Sequence, residues 1–377
     1  MTNATQHENA SNSRKPRARE LGLPFPGTPG PFNAITDVKG LEVGYRTLRE
    51  TRNGKPVNTG VTAILPRGRD SEPKPVWAGI HALNGNGEMT GSHWIRDGGY
   101  FLGPMLITNS HSVGMAHHAA TRWMIDQYAE AWQKTHLWAM PVVAETYDGV
   151  LNDIDGQHIS AEDARAALDA ARSGIPEEGC VGGGTGMIAY DFKGGTGTAS
   201  RQFDIDGSTY TIGALVQANH GIRPWLKVLG VPVGEAMPED TIHADTEKGS
   251  IIVVLATDAP MLPHQLHRLA KRAGLGIGRA GTPGGNNSGD IFIAFSTANE
   301  MPIPQLSGAR LSMEAINDEY FDPIYLAAVE AVDEAVINAM VAAEDMPTYR
   351  PAGKICKAID TDRLVELVNA DSLQRSA

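Results

Sequence analysis

The sequence predicts a single α/β domain in which the sheets are covered on their faces by helices. Short apolar segments without polar alternation predict buried strands, and longer segments with apolar residues at helical spacing predict helices. The two kinds of segment alternate along the 377 residues without a linker or an internal repeat. We therefore expect one domain over residues 21–377. Residues 1–20 are polar and lack the apolar segment of a signal peptide, so we expect a flexible tail there.

Each expected element has its own signal in the sequence. The strands are the apolar runs at 61–65, 137–143, 212–216, 251–256 and 291–295. The helices are one after Asn109, one from Ser160 to Gly174, one from Pro263 to Gly274 and one at 323–343. A capping box of Ser160 with Asp163 predicts the second helix, and a proline in the first turn predicts the third. Helices and buried strands in this mixture imply helix-covered sheets.

Composition excludes several classes of function. The net charge of −12 argues against a nucleic acid or an anionic membrane as partner. No segment approaches the roughly 18 apolar residues that a transmembrane helix needs. Two cysteines make neither a disulfide framework nor a zinc site, so a cytoplasmic location is expected. His117-His118 and His264-x-x-His267 lack an H-E-x-x-H pattern, so we expect no metal and no cofactor.

The dipeptide Gly249-Ser250 stands directly before the apolar run at 251–256. A serine that opens a buried strand behind a glycine is what a self-cleaving hydrolase with an N-terminal nucleophile requires, because glycine allows the backbone strain that exposes its carbonyl. Attack of the Ser250 hydroxyl on the Gly249 carbonyl gives an ester that water hydrolyses, leaving chains 1–249 and 250–377. Ser250 then gains an α-amine, whose ordinary pKa of about 7.7–8.0 suits a base near neutral pH.

The alternative for this dipeptide is an ordinary turn, because Gly-Ser is a common turn pair. Gly91-Ser92 and Gly207-Ser208 also occur, but neither precedes a six-residue apolar run. The local pattern alone leaves both interpretations open.

Two polar groups lie at the entrance to the strand expected at 291–295. Ser288 and Asp290 are two residues apart, so their side chains point to the same side of an extended chain and can reach a neighbouring amine. Asp290 would hold the Ser250 amine, with Ser288 relaying a hydrogen bond. The alternative is an Asx-type turn that leads into the strand.

Three further candidates lie at the ends of expected strands, where sites of α/β proteins are common. Glu145 and Tyr147 follow the strand expected at 137–143, and Asn219 ends the strand that contains 212–216. A buried glutamate can bind the ammonium group of a substrate, a tyrosine hydroxyl can stabilise developing charge, and an asparagine amide can donate to an oxyanion. Ordinary polar loops explain the same residues equally well.

A glycine-rich run at 182–186 leads into a loose G-x-G-x-x-A pattern at 184–189. A dinucleotide-binding turn needs an apolar strand before this pattern and a helix after it. The preceding segment at 175–179 is not apolar, and the glycines at 194–197 break any following helix. Nucleotide binding is therefore not expected.

These pieces, in this order from about Arg19 to Ala358, resemble the L-aminopeptidase/D-amidase/D-esterase family, the DmpA-like self-processing serine peptidases that include the β-peptidyl aminopeptidases. The segments that carry the resemblance are GTPGPFNAITDV (27–38), LNGNGEMTG (83–91), TNSHSVG (108–114), ETYDG (145–149), GGGTG (182–186), KGGTG (193–197), Gly249-Ser250 and NSGD (287–290).

The resemblance implies a four-layer αββα sandwich like that of the N-terminal-nucleophile hydrolases, with different connectivity. It also implies cleavage between Gly249 and Ser250, a homotetramer, and an aminopeptidase acting on small peptides, amides or esters. By position, Ser250 is the nucleophile and its amine the base, oriented by Ser288 and Asp290.

For the substrate-facing residues, the resemblance implies that Asn219 donates to the oxyanion, Tyr147 assists at the reacting carbonyl and Glu145 binds the substrate amine. It makes the glycine run at 182–186 a place of close backbone approach. Some β-peptide-cleaving relatives carry a glutamate where this chain has Asp290.

Two other functions compete with this interpretation. An acyltransferase of the ornithine acetyltransferase kind shares the self-cleaving logic, but that group is expected to use threonine where this chain has Ser250. A ligand-binding protein that remains uncut, with the glycine-rich runs lining a pocket, is the alternative outside enzymes.

Overall fold

The computed structural model of the chain describes residues 14–243 and 247–375. The strands are β1 Glu42–Arg52, β2 Lys55–Leu65, β3 Val76–Ala82, β4 Tyr100–Phe101, β5 Met105–Asn109, β6 Val142–Thr146, β7 Ile188–Ala189, β8 Phe192–Lys193, β9 Gly195–Ile205, β10 Ser208–Asn219, β11 Ser250–Thr257, β12 Gly289–Ser296, β13 Met346–Pro347 and β14 Ile355–Cys356. The α-helices are α1 Ser92–Gly98, α2 Val113–Gln127, α3 Ala129–Lys134, α4 Ala161–Asp169, α5 Val233–Ala236, α6 Pro263–Ala270, α7 Arg272–Arg279, α8 Asp322–Val341 and α9 Thr361–Arg375.

Two large sheets organise these elements. One has four strands in the order β1-β2-β5-β6, and the other has six in the order β4-β3-β12-β11-β10-β9. Within them, β5 pairs with β6 and β11 pairs with β12 in parallel, and the other pairs are antiparallel. β11 lies inside the six-stranded sheet and every one of its residues is buried, as its unbroken apolar sequence predicts.

The apolar core lies in three layers between four layers of structure. Residues 251, 253 and 255 of β11 pack with α6, α7 and α8 on one face of the six-stranded sheet. Residues 252, 254 and 256 pack against the four-stranded sheet on the other face. The outer face of the four-stranded sheet is covered by α2 and α4. This alternation along one strand gives the expected αββα sandwich.

Four of the five expected strands are confirmed within β2, β10, β11 and β12. The fifth was placed too early, because β6 begins at Val142 and ends at Thr146. Its parallel pairing with β5 sets these bounds, joining Met105 with Val142 and Asn109 with Thr146. Glu145, expected after the strand, therefore lies inside it.

Two expected helix ends are wrong. The capping box of Ser160 is confirmed, but α4 ends at Asp169 because Arg172 then forms backbone hydrogen bonds with β1. The helix that begins at Pro263 breaks at Lys271, and α7 continues through the glycine expected as its stop. A glycine in α7 serves close packing instead, since a Cβ added at Gly276 would lie 2.6 Å from Val332 of α8.

The described part of the expected N-terminal tail packs against the domain. The Arg17 guanidinium forms a buried ion pair with Glu178 at 2.6 Å, and Ala18 is fully buried. Residues 1–13 of that tail lie outside the described residues. The expected tail therefore does not extend over Arg17 and Ala18.

Among the helices of the described residues, none is both long and apolar enough to cross a membrane.

Candidate active site

Ser250 is placed between two strands of the six-stranded sheet. As the first residue of β11, it lies opposite Asn219 of β10 and beside Gly289 of β12. The backbone N–H of Gly289 donates to Ser250 Oγ at 3.1 Å, and the serine is buried. This hydrogen bond leaves the Ser250 hydroxyl proton free to be transferred.

Gly249 is held against the end of β10. A Cβ added to it would lie 1.7 Å from the carbonyl oxygen of Asn219. Its φ is not in the left-handed region. Glycine is therefore needed here for close backbone approach, and the strained backbone expected from the sequence is not what requires it.

Ser288 and Asp290 come together as their spacing predicts. The Ser288 hydroxyl donates to Asp290 Oδ1 at 2.5 Å, and both side chains are buried. Burial raises the pKa of Asp290, although the Ser288 hydroxyl, the Asn84 amide and the Ile251 N–H offset part of this rise. The pair lies one strand away from Ser250, at the same end of the sheet.

Asn219 uses both ends of its side-chain amide. Its Oδ1 accepts the N–H of Ile188 at 2.8 Å, and its Nδ2 donates to the carbonyl of Tyr147 at 3.0 Å. An amide nitrogen carries two N–H bonds, so one donor remains for another acceptor. The two hydrogen bonds fix the amide plane at the end of β10, opposite Ser250.

Tyr147 lies on the wall of a cavity beside the Gly249-Ser250 junction. The cavity has a volume of about 70 Å³, and Asn219, Lys248 and Gly249 also line it. The Tyr147 hydroxyl lies over Gly149, where an added Cβ would be 2.3 Å away. The structure thus places the tyrosine ring beside the junction, with its hydroxyl close to Gly149 of the same turn.

Glu145 presents a buried carboxylate on β6 of the four-stranded sheet. Its Oε1 accepts the N–H of Glu88 at 2.9 Å, and its Oε2 accepts the Ser110 hydroxyl. A Cβ added at Gly87 would lie 3.0 Å from Glu145 Oε1 and 3.7 Å from the Cα of Gly289. Gly87 therefore lies between the Glu145 carboxylate and Gly289, the residue whose N–H donates to Ser250.

Two supporting residues, Asp148 and Ser110, are not among the site residues that the sequence predicts. The Asp148 carboxylate is buried and accepts from the side-chain amides of Asn109 at 3.1 Å and Asn152 at 3.0 Å. Burial raises its pKa to about 6, and the hydrogen bonds lower it in part. Asp148 holds the turn that carries Tyr147, and Ser110 holds Glu145. Both lie in segments that carried the resemblance, which was the available signal.

The glycine run at 182–186 forms a buried 3-10 helix inside the sandwich. A Cβ added at Gly183 would lie 2.1 Å from Gln217, and one at Gly184 would lie 2.2 Å from the backbone of Thr196. The run therefore allows close backbone approach. Within residues 14–243 and 247–375, no group of three or more His, Cys, Asp or Glu side chains is arranged to hold a metal ion.

Comparison with known proteins identifies the family of this chain. The model of peptidase family S58 matches residues 33–352. The chain is 51% identical to the β-peptidyl aminopeptidase BapA of Sphingosinicella microcystinivorans over 356 residues, covering 89% of this chain and 88% of that one. It is 44% identical to the β-peptidyl aminopeptidase BapA of Sphingosinicella xenopeptidilytica, covering 88% and 86%.

A solved structure of similar shape extends the comparison. The L-aminopeptidase D-Ala-esterase/amidase of Ochrobactrum anthropi, described as a serine aminopeptidase with a variant of the N-terminal-nucleophile hydrolase fold, superposes with a TM-score of 0.92. It is 59% identical in sequence, and the match covers 95% of this chain and 99% of that one. The chain therefore belongs to peptidase family S58, and it is a hydrolase of the serine aminopeptidase type.

Proposed function

We propose that the chain cleaves itself between Gly249 and Ser250 and then works as an aminopeptidase with Ser250 as its N-terminal nucleophile. One observation carries this proposal: Ser250 begins a central buried strand with Asn219 on one side and the Gly289 N–H on its hydroxyl. The glycine before it packs too closely against β10 to accept a side chain. A structural serine needs neither arrangement.

Self-cleavage proceeds by transfer of the Gly249 acyl group from nitrogen to oxygen. The Ser250 hydroxyl attacks the Gly249 carbonyl, the new O–C bond forms, the C–N bond breaks, and the hydroxyl proton passes to the departing nitrogen. Water then hydrolyses the ester, which restores the Ser250 hydroxyl and leaves a carboxylate on Gly249. The α-amine of Ser250 that this step releases becomes the base for later turnovers.

In turnover, Glu145 binds the ammonium group of the substrate and so fixes the scissile carbonyl near Ser250. The Ser250 amine takes the hydroxyl proton, and the second N–H of Asn219 stabilises the oxyanion. Ser288 and Asp290 orient the amine, and Tyr147 assists at the reacting carbonyl. The amine then protonates the leaving group, and water releases the acyl group from the enzyme.

The substrates we propose are peptides, amides and esters with a small N-terminal residue. The 59% identity to an L-aminopeptidase D-Ala-esterase/amidase supports amides and esters of a small amino acid. Preference for β-amino acids is a second candidate, favoured by the 51% identity to a β-peptidyl aminopeptidase. The ratio of kcat/KM for alanine and β-alanine p-nitroanilides decides between the two.

We also propose a cytoplasmic homotetramer. Both cysteines are free and buried, which is compatible with a reducing compartment. Light scattering coupled to size-exclusion chromatography measures the number of subunits.

Intact mass under denaturing conditions tests the cleavage. We expect two species of 249 and 128 residues, the smaller beginning Ser-Ile-Ile-Val. A single full-length mass that persists for days at neutral pH removes the proposed base and overturns the proposal in favour of an uncut binding protein.

Asn219→Ala is expected to lower kcat about a hundredfold, at the low end of the range for one oxyanion donor. KM should change little, because the amide acts on charge that develops during the reaction. Steady-state kinetics on the cleaved fraction measures both values. A loss carried mainly by KM contradicts the role proposed for Asn219.

A further inference from the structure

Glu247 joins two loops at the cleavage junction. Its Oε1 accepts the N–H of Gly221, just after β10, at 2.7 Å. Its Oε2 lies so close to Gly285 that a Cβ added there would be 1.6 Å away. Gly285 in turn accepts the N–H of Ser288 at 2.9 Å. The Glu247 carboxylate therefore reaches from the end of β10 to the loop that carries Ser288 and Asp290.

Glu247 and Asp290 form a pair of carboxylates without a cation. Burial raises the pKa of Glu247, and the charge of Asp290 raises it further, while the N–H groups of Gly221 and Gly285 lower it in part. Burial also raises the pKa of Asp290. Within the described ranges, neither carboxylate forms an ion pair with a lysine, arginine or histidine.

Tyr190 and His220, which lie near the pair, supply no positive charge. Burial raises the pKa of Tyr190, whose phenol interacts with both carboxylates, so it stays neutral. Burial lowers the pKa of His220 to about 3, so this histidine, in contact with the Tyr190 ring, is also neutral. Lys248 lines the cavity beside Tyr147. Burial lowers the pKa of His243, and the positive charge of Lys248 contributes to this lowering. Asn84, which faces Asp290, is uncharged.

We propose that Glu247 is a positioning residue that, with Asp290, forms a receptor of two carboxylates for the Ser250 ammonium group created by self-cleavage. The inference rests on the proposed cleavage. Hydrolysis of the Gly249-Ser250 amide makes one carboxylate and one amine, and the amine takes up a proton at the end of the sheet where the pair lies. Glu247 belongs to the chain that ends at Gly249 and Asp290 to the chain that begins at Ser250, so both products contribute to the receptor.

The receptor sets the pH at which the enzyme becomes active. Nearby negative charge favours the protonated amine and raises its pKa, whereas the mechanism requires the neutral amine. Removing one carboxylate lowers that pKa, so the acid limb of kcat/KM moves to lower pH. Loss of packing alone lowers the rate without moving this limb.

The test compares three variants with the wild-type protein, using intact mass and the pH profile of kcat/KM on alanine p-nitroanilide. For cleaved Glu247→Gln we expect an acid limb about one pH unit below that of the wild type. Glu247→Asp keeps the charge and should keep the limb near the wild-type position. Asp258→Asn is the matched control, because Asp258 is a half-buried carboxylate at the other end of β11 that accepts the Thr211 N–H at 2.7 Å.

The outcomes separate this inference from the proposed function. Wild-type protein that stays uncut overturns the proposed function itself. Cut wild type, with Glu247→Gln cut and its acid limb unmoved, overturns only the receptor. If Glu247→Gln stays uncut, cleavage of Glu247→Asp supports the need for a negative charge at this position. If Glu247→Asp is folded but also uncut, the receptor is overturned.

Discussion

Ser250→Ala will run as one full-length chain and will have no aminopeptidase activity. Alanine has no hydroxyl to attack the Gly249 carbonyl, so neither the acyl shift nor the later acyl-enzyme forms. The fold should persist, because the Ser250 side chain accepts a single hydrogen bond within the described part of the chain, from the Gly289 N–H, and Gly289 stays paired beside it in the sheet. Intact mass measures the cleavage, and circular dichroism measures the fold.

Two controls sharpen this result. Ser250→Cys keeps a nucleophile and should cut and turn over at a reduced rate. Ser296→Ala removes another buried serine hydroxyl, which donates to the Ala259 carbonyl at the far end of β12, and should cut normally. Two bands from Ser250→Ala would refute Ser250 as the nucleophile of self-cleavage.

Glu145→Gln will lower kcat/KM by roughly a hundredfold to a thousandfold for substrates with a free N-terminal amine. The amide keeps an acceptor for the Glu88 N–H but loses the negative charge that we propose binds the substrate ammonium group. The loss should fall mainly on KM, because this contact exists in both the ground state and the transition state. Kinetics on paired free and N-acetylated substrates measure it.

The N-acetylated substrates show whether Glu145 acts through its negative charge or has a structural role only. They lack the ammonium group, so Glu145→Gln should process them no more slowly than the wild type, and the preference for a free amine should collapse. Glu88→Gln is the matched control, because Glu88 contributes its backbone N–H and its side chain is exposed. An equal loss on both substrates would assign Glu145 a structural role only.

The sequence predicts strands well where burial demands an unbroken apolar run. It misses β9, whose residues are mostly buried although the strand is rich in glycine, threonine and serine. Such a strand is fixed by its pairing with β10 and by α8, which packs on it closely enough that a Cβ added at Gly197 would lie 2.1 Å from Ala335. That proximity is tertiary, and no local pattern encodes it.

The candidate site, too, could be predicted only in part from the sequence. Ser288 and Asp290 could be placed together because a spacing of two along an extended chain is local geometry. The hydrogen bond from Asn219 to Tyr147 and the contact of Glu247 with Gly285 join segments far apart in the chain. Glu247 lies in no segment that carried the resemblance, so only the folded structure singles it out.

The six-stranded sheet has a consequence for the lifetime of the enzyme. β3, β4, β9 and β10 precede Gly249, whereas β11 and β12 follow it and lie side by side between β3 and β10 in the same sheet. Once the chain is cut, this sheet is shared by two polypeptides, and unfolding lets them diffuse apart. Refolding then becomes a bimolecular and concentration-dependent step. We therefore expect the survival of the cut enzyme to depend on its unfolding rate, so that an inactivation half-life describes it better than a reversible melting temperature does.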